Sequence, residues 1–242
     1  MKTIKINIKM MIFSSTLLLL PMSGLAGGGI DGDWMAHIQA YIEEDRIMVE
    51  NGRNEKSLEA FNRRSEHAQQ FRESNLPSIQ EIEALLESPQ IEDQIVASVA
   101  VMLTKQYSPT IVKRLISNLG VKGPYDQSLF ELKVYTKFAL KKVPGDQLKQ
   151  YEEEIFKAID EETNENTLFV LMTLYTVLSP QKSAVELTQL LIEHPSTIIK
   201  KTSYSLLDRL GEEYKQQAIN ALKQREDQET LKLIETWDGP EQ

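Results

Sequence analysis

Three histidines, His37, His67 and His194, are the only side chains of this 242-residue chain that ordinarily titrate near neutral pH. His194 stands in a turn before Pro195, His37 lies one helical turn from Tyr41, and His67 follows Glu66 in a charged stretch. None falls in the H-E-x-x-H spacing that would set two imidazoles on one side of a helix. Asp31-Gly32-Asp33 is similar to the opening of a calcium loop, but Met35 is apolar, the sixth place lacks glycine, and Ile42 stands where a bidentate glutamate is required. Glu152-Glu153-Glu154 and Asp160-Glu161-Glu162 are carboxylate runs, and paired carboxylates can hydrolyse glycosides. Adjacent residues on a helix point in different directions, so these runs read as solvated surface. Cysteine is absent, which removes thiol nucleophiles and thiolate metal sites. No G-x-S-x-G, phosphate-binding glycine loop or supported S-x-x-K occurs. The sequence therefore predicts no catalytic residue, no metal and no cofactor, and a protein that is not an enzyme.

One spacing does suggest a use. Lys133, Lys137 and Lys141 recur every four residues and would line one side of a helix. At 100° per residue, Leu129, Leu132, Leu140 and Val143 lie on one flank of that stripe, and Phe130, Val134 and Phe138 on the other. The expectation is that both apolar flanks pack on neighbours while the lysines face a groove, ready for an acidic segment of a partner protein. Lys113, Arg114, Lys142 and Lys149 would extend the patch. The competing reading is an ordinary solvated face whose lysine stems cover apolar surface.

The elements needed to position such a stripe are helices. Apolar residues at helical spacing, with prolines or glycines at the joints, predict helices over 34–50, 56–73, 78–87, 91–107, 109–119, 126–143, 146–161, 165–178, 180–193, 196–210, 212–224 and 227–237. No window alternates as a strand would, so the fold class is all-α. Leading apolar residues Ile95, Leu129, Leu168, Ile199 and Leu231 are separated by 34, 39, 31 and 32 residues, a spacing proper to stacked helical pairs. Each pair has too wide an apolar face to cover alone and is expected to stack on the next; the competing reading is an irregular helical bundle, which gives a similar list of helices. The helix over 56–73 carries only a thin stripe, Leu58, Phe61, Ala68 and Phe71, and reads as a weakly packed or capping element.

Residues 1–26 read as a bacterial export signal. Lys2, Lys5 and Lys9 precede an apolar run from Met10 to Leu20, Pro21 ends it, and Gly24-Leu25-Ala26 supplies small residues for cleavage. The run is shorter than the ~20 residues of a membrane span, so no membrane insertion is expected after cleavage, and the location is periplasmic or secreted. Residues 27–104 carry 15 acids against 6 bases, 105–149 carry 9 bases against 3 acids, and 150–242 carry 18 acids against 9 bases. A chain with such acidic flanks is not a general binder of nucleic acid. Its middle alone is basic.

The segment after His194-Pro195-Ser196 resembles a HEAT repeat. Pro195, Ile199, Lys200, Lys201, Ser203, Leu207, Leu210 and Gly211 occupy the places where that family's second helix carries its proline, β-branched residue, basic pair, small residue, leucines and closing glycine. Asp227 to Trp237 resembles a shorter final copy. On the residues alone, Ile199, Ser203, Leu206, Leu207 and Leu210 share one helical face, with the small residue where two helices approach closely. The resemblance implies a HEAT-like α-solenoid of about five helical hairpins within 77–242; residues 27–76 lie outside it and read on their own as an N-terminal helical cap. It also implies a scaffold that binds protein or peptide in its groove. The expected function is a non-catalytic binding protein of the cell envelope; the alternative is a periplasmic immunity or inhibitor protein that neutralises a toxin or enzyme.

Overall fold

The computed structural model describes residues 33–52, 54–124 and 126–238, and these belong to one compact unit. The export signal and the Asp31-Gly32 part of the calcium-like triplet lie outside the described residues. All regular structure among the described residues is helical. In chain order the helices are α1 (Asp33–Asn51), α2 (Glu55–Glu73), α3 (Ile79–Glu87), α4 (Ile91–Thr104), α5 (Pro109–Leu119), α6 (Gln127–Leu140), α7 (Gly145–Leu148), α8 (Glu152–Asp160), α9 (Glu165–Leu171), α10 (Pro180–Glu193), α11 (Thr197–Leu210), α12 (Glu212–Gln224) and α13 (Gln228–Trp237).

Local chemistry sets most of these boundaries. Side chains of Asn54, Ser78, Ser108, Asp126, Asn164 and Asp227 each accept a hydrogen bond from a backbone N–H of the first helical turn. Such caps satisfy donors that the helix itself leaves orphaned. At α3 the cap is reciprocal: the Glu81 carboxylate takes the Ser78 N–H at 2.7 Å, and Ser78 Oγ takes the Glu81 N–H at 3.2 Å. Pro109 and Pro180 occupy first-turn positions, where a missing N–H costs nothing. Gly211 alone joins α11 to α12, at φ 146°, a conformation that side chains disfavour.

Four expected helices are trimmed or broken; the one expected over 91–107 ends at Thr104, where Lys105 takes a left-handed conformation at φ 56°. The helix expected over 126–143 stops at Leu140, because Val143 precedes Pro144 and is pushed out of helical geometry. The stretch expected over 146–161 is divided by a 3₁₀ turn, Lys149–Tyr151. The stretch expected over 165–178 changes at Met172 into a 3₁₀ helix that ends at Val177. Inside it, Thr173 Oγ1 donates to the Val170 carbonyl and Thr176 Oγ1 to that of Thr173, so hydroxyls compete for carbonyls in the tightened turns.

Packing runs in two successions. α3 lies against α5 and α5 against α8, while α4 lies against α6, α6 against α9, α9 against α11 and α11 against α13. The sequential pairs α3–α4 and α5–α6 link the two, and α10–α11, α11–α12 and α12–α13 also pack. Small side chains let α4 and α6 approach: Ala97, Ala100 and Ala139 are fully buried, and the buried Ser98 and Thr136 hydroxyls meet at 3.3 Å. In α11, Ile199, Ser203, Leu206 and Leu207 are buried as their shared face predicts, and Leu210 is half-buried. Ser203 satisfies its hydroxyl on the Ile199 carbonyl at 2.9 Å.

The hairpin α1–α2 is better anchored than its sparse stripe suggests. Trp34, Ile38, Ala60 and Phe71 are fully buried, with Trp34 edge-on to Phe71. Of the four residues expected to form the α2 stripe, Ala68 and Phe71 are buried but Leu58 and Phe61 are exposed.

Candidate binding surface

Helix α6 touches α4, α5 and α9, and its side chains also reach α1. That many neighbours leave little of its circumference free. Leu129, Leu132, Thr136, Ala139 and Leu140 point into the core. On one flank, Arg46 of α1 grips Glu131 through Nε at 2.9 Å and Nη2 at 2.7 Å, a two-pronged arrangement that an arginine fork fits. Next to it, Tyr135 donates its hydroxyl to Asp45 at 2.9 Å, and Asp45 also pairs with Arg64. Burial, reinforced by the Asp45 carboxylate, pushes the Tyr135 hydroxyl far above its ordinary pKa, so it stays a donor.

On the other flank the lysines do something other than expected. Lys133 is 6 % exposed and its Nζ lies 2.5 Å from Oε2 of Glu162, whose side chain is also buried. Glu162 belongs to an acidic run expected to be solvated; it lies in the α8–α9 turn and its other oxygen accepts the Asn164 N–H at 2.7 Å. Lys137 is 7 % exposed, with Nζ 3.4 Å from the centre of the Phe138 ring. Burial first, and then the neighbouring Lys141, pull the Lys137 ammonium down to about 8. Lys141 alone of the three is exposed. The stripe and its flank have therefore exchanged places. Phe130 and Val134 are only half-buried and Phe138 is 40 % exposed, so the aromatic flank, not the lysine line, faces outward.

The other expected patch residues divide. Lys113 and Arg114 are exposed on α5, in the succession α3–α5–α8, and Arg114 is held by Glu87 of α3 at 2.8 Å. Lys142 and Lys149 are exposed beyond the end of α6. A residue the sequence did not single out does join: Arg209, in the last turn of α11, lies close enough to Lys141 to depress its pKa, after burial and ahead of Lys142.

Large apolar side chains stand out along the same succession. Phe138 on α6, Phe169 on α9 and Ile198 on α11 are 40 %, 45 % and 51 % exposed. Lys200 of α11 has a structural task, donating to the Ile192 carbonyl and to Thr230 Oγ1 of α13, so one of the basic pair Lys200-Lys201 bridges to the next helix of the succession.

Elsewhere the chemistry is local. His194 Nδ1 accepts the Ser196 N–H at 3.1 Å within its turn, and His67 pairs with Gln70 on α2. Glu152 caps α10 by accepting the Ser179 N–H at 2.7 Å, and Glu153 pairs with Lys182. A cleft of about 320 Å³ opens between the α5–α6 and α8–α9 turns, with Lys133 and Glu162 in its wall, but their charges are spent on each other. Among the described residues no three His, Cys, Asp or Glu side chains gather as a metal would need, and no helix is long and apolar enough to cross a membrane. No protein-family model, curated protein or solved structure matches this chain.

Proposed function

We propose that this chain is an exported, non-catalytic binding protein of the bacterial cell envelope, built as a HEAT-like α-solenoid of about five hairpins behind an N-terminal cap. Its partner is a protein, held along the succession α6–α9–α11. The order of helix contacts supports the solenoid reading, because each helix of that succession packs against the next. The observation that carries the binding reading is the exposure of Phe138, Phe169 and Ile198 on three successive helices of one succession. Large apolar groups placed together at a surface mark a contact site, whereas scattered ones need no explanation. Residues 1–26 supply the export reading through their basic, apolar and small-residue segments.

The test is site-specific photocrosslinking in the native cell envelope. A photoreactive phenylalanine analogue replaces Phe138, Phe169 or, as control, the exposed Val185 of α10. The proposal expects the same protein adduct from positions 138 and 169 and none from 185. Equal labelling at all three positions, or none at 138 and 169, overturns it.

A further inference from the structure

We infer that Lys137 is a nucleophilic amine that captures small apolar aldehydes as a Schiff base. This chemistry does not depend on which protein the succession holds.

Exposed cations need no carboxylate, since water solvates them, and most unpaired lysines of the chain are of that kind. Burial is what sets Lys137 apart. Among the described residues only Lys133 and Lys137 are buried cations, and lysine is almost never buried without a partner. Lys133 has Glu162. Lys137 forms no ion pair or hydrogen bond with any described residue, and its Nζ has the Phe138 ring against it, 3.4 Å from the ring centre. A ring face attracts an ammonium weakly beside what burial costs it. Carboxylates on the elements around α6 are engaged at other positions: Asp45 of α1 by Tyr135, Glu92 of α4 by Ser128, and Glu162 of the α8–α9 turn by Lys133.

One turn further along α6, on the same side, stands Lys141, a second positive charge. Desolvation and a neighbouring cation are the two environments that turn a lysine into a nucleophile. Together they pull the Lys137 ammonium down to about 8. Near pH 7 roughly a tenth of it is then free amine, against fewer than about one in a thousand for an ordinary lysine.

The amine is shielded without being sealed. Phe138, which covers it, is 40 % exposed, and Val134, three residues before Lys137, is half-buried beside it on the outward flank. A hydrocarbon substituent can lie on that flank, whereas a charged one must shed water to do so. The unprotonated Nζ adds its lone pair to the carbonyl carbon, and a proton moves from nitrogen to the carbonyl oxygen. The resulting hydroxyl leaves as water with the second nitrogen proton, and a C=N bond remains. Nothing is oxidised or reduced. An uncharged imine then stands where the fold had to bury a lone ammonium.

The test treats the full mature chain near pH 7 with benzaldehyde and cyanoborohydride, which reduces each imine to a stable benzylamine, and maps the adducts by mass spectrometry. Lys137 should be labelled at least about tenfold faster than any other lysine, as its larger share of free amine requires. Lys137→Met should remove the dominant adduct and leave the slow ones. In guanidinium chloride the preference should vanish, because unfolding returns Lys137 to water. Glyoxylate, an aldehyde that carries a carboxylate, should favour Lys137 over the other lysines about threefold less than benzaldehyde does. Labelling of Lys137 no faster than that of the exposed lysines, or a preference that survives unfolding, overturns the nucleophilic assignment. A preference as large or larger with glyoxylate overturns the apolar one.

Discussion

Nζ of Lys133 lies 2.5 Å from Oε2 of Glu162, and both side chains are over nine-tenths shielded from water. A lysine expected to meet a partner instead ties α6 to the α8–α9 turn. Removing one member of a buried pair leaves the other charge stranded, at about 3–5 kcal/mol. Glu162 keeps the Asn164 N–H, so the lower end of that range applies. Lys133→Met should therefore lower the melting temperature by about 6–12 °C, from the usual ~2–4 °C per kcal/mol for a chain of this size. Adding Glu162→Gln, which retains the acceptor for Asn164, should recover roughly half of the loss, the non-additivity expected of direct partners. Independent, additive effects would show that the pair does not form.

Lys137 provides a pH signature. Its folded-state value, about 8, lies below the ~10.4 of an unfolded lysine. Between those two values the unfolded chain holds a proton that the fold has released, so stability attributable to this residue rises with pH across that window. Below it the fold bears the full penalty of a buried ammonium. Lys137→Met should raise the melting temperature at pH 7 and abolish the rise between about pH 8 and about pH 10. Titration of methyl-labelled lysines by NMR should find one resonance moving near pH 8 that is missing from the variant.

Arg46 and Glu131 are 85 residues apart and join α1 to α6. Arg46→Ala strands a largely buried carboxylate that retains only the Gln127 amide at 2.8 Å. The expected loss is about 2–3 kcal/mol. Arg46→Lys should recover little, because an ammonium lacks the planar fork that reaches both oxygens. Hydrogen exchange should accelerate in α1 before it does in α11. Uniform acceleration along the chain would contradict the proposed anchoring role of this pair.

Asp160 and Glu186 both have raised pKa values, Asp160 through burial, Glu186 through burial and then the Asp160 charge. Groups raised in the fold stabilise it at low pH and lose that contribution as pH climbs through the raised values. Asp160→Asn removes the repulsion while keeping an acceptor for the Tyr175 hydroxyl, which reaches Asp160 at 3.3 Å. The melting temperature at neutral pH should increase by about 1–2 °C, as befits a half-exposed site. At acidic pH the variant and the parent should converge.

Sequence alone determined the all-helical class and nearly every helix boundary, because those are local matters. Ser78 with Glu81, Ser108 with Pro109, and Gly211 act on backbone within a turn of themselves, so short windows reveal them. The inward face of α11 was equally plain, since Ile199, Ser203, Leu206 and Leu207 leave a clear polar side opposite. Helix α6 has no such contrast. It carries apolar residues around most of its circumference, and its period says which side chains share a side, not which side meets water. Tertiary structure decided that by supplying distant polar partners. Arg46 and Asp45 draw Glu131 and Tyr135 inward, Glu162 draws in Lys133, and the aromatic flank is left outside. Arg209 entered the surface for the same reason: packing of α6 on α9 and α9 on α11 sets charges from separate helices side by side, and such nearness is a property of the stack rather than of any stretch of chain.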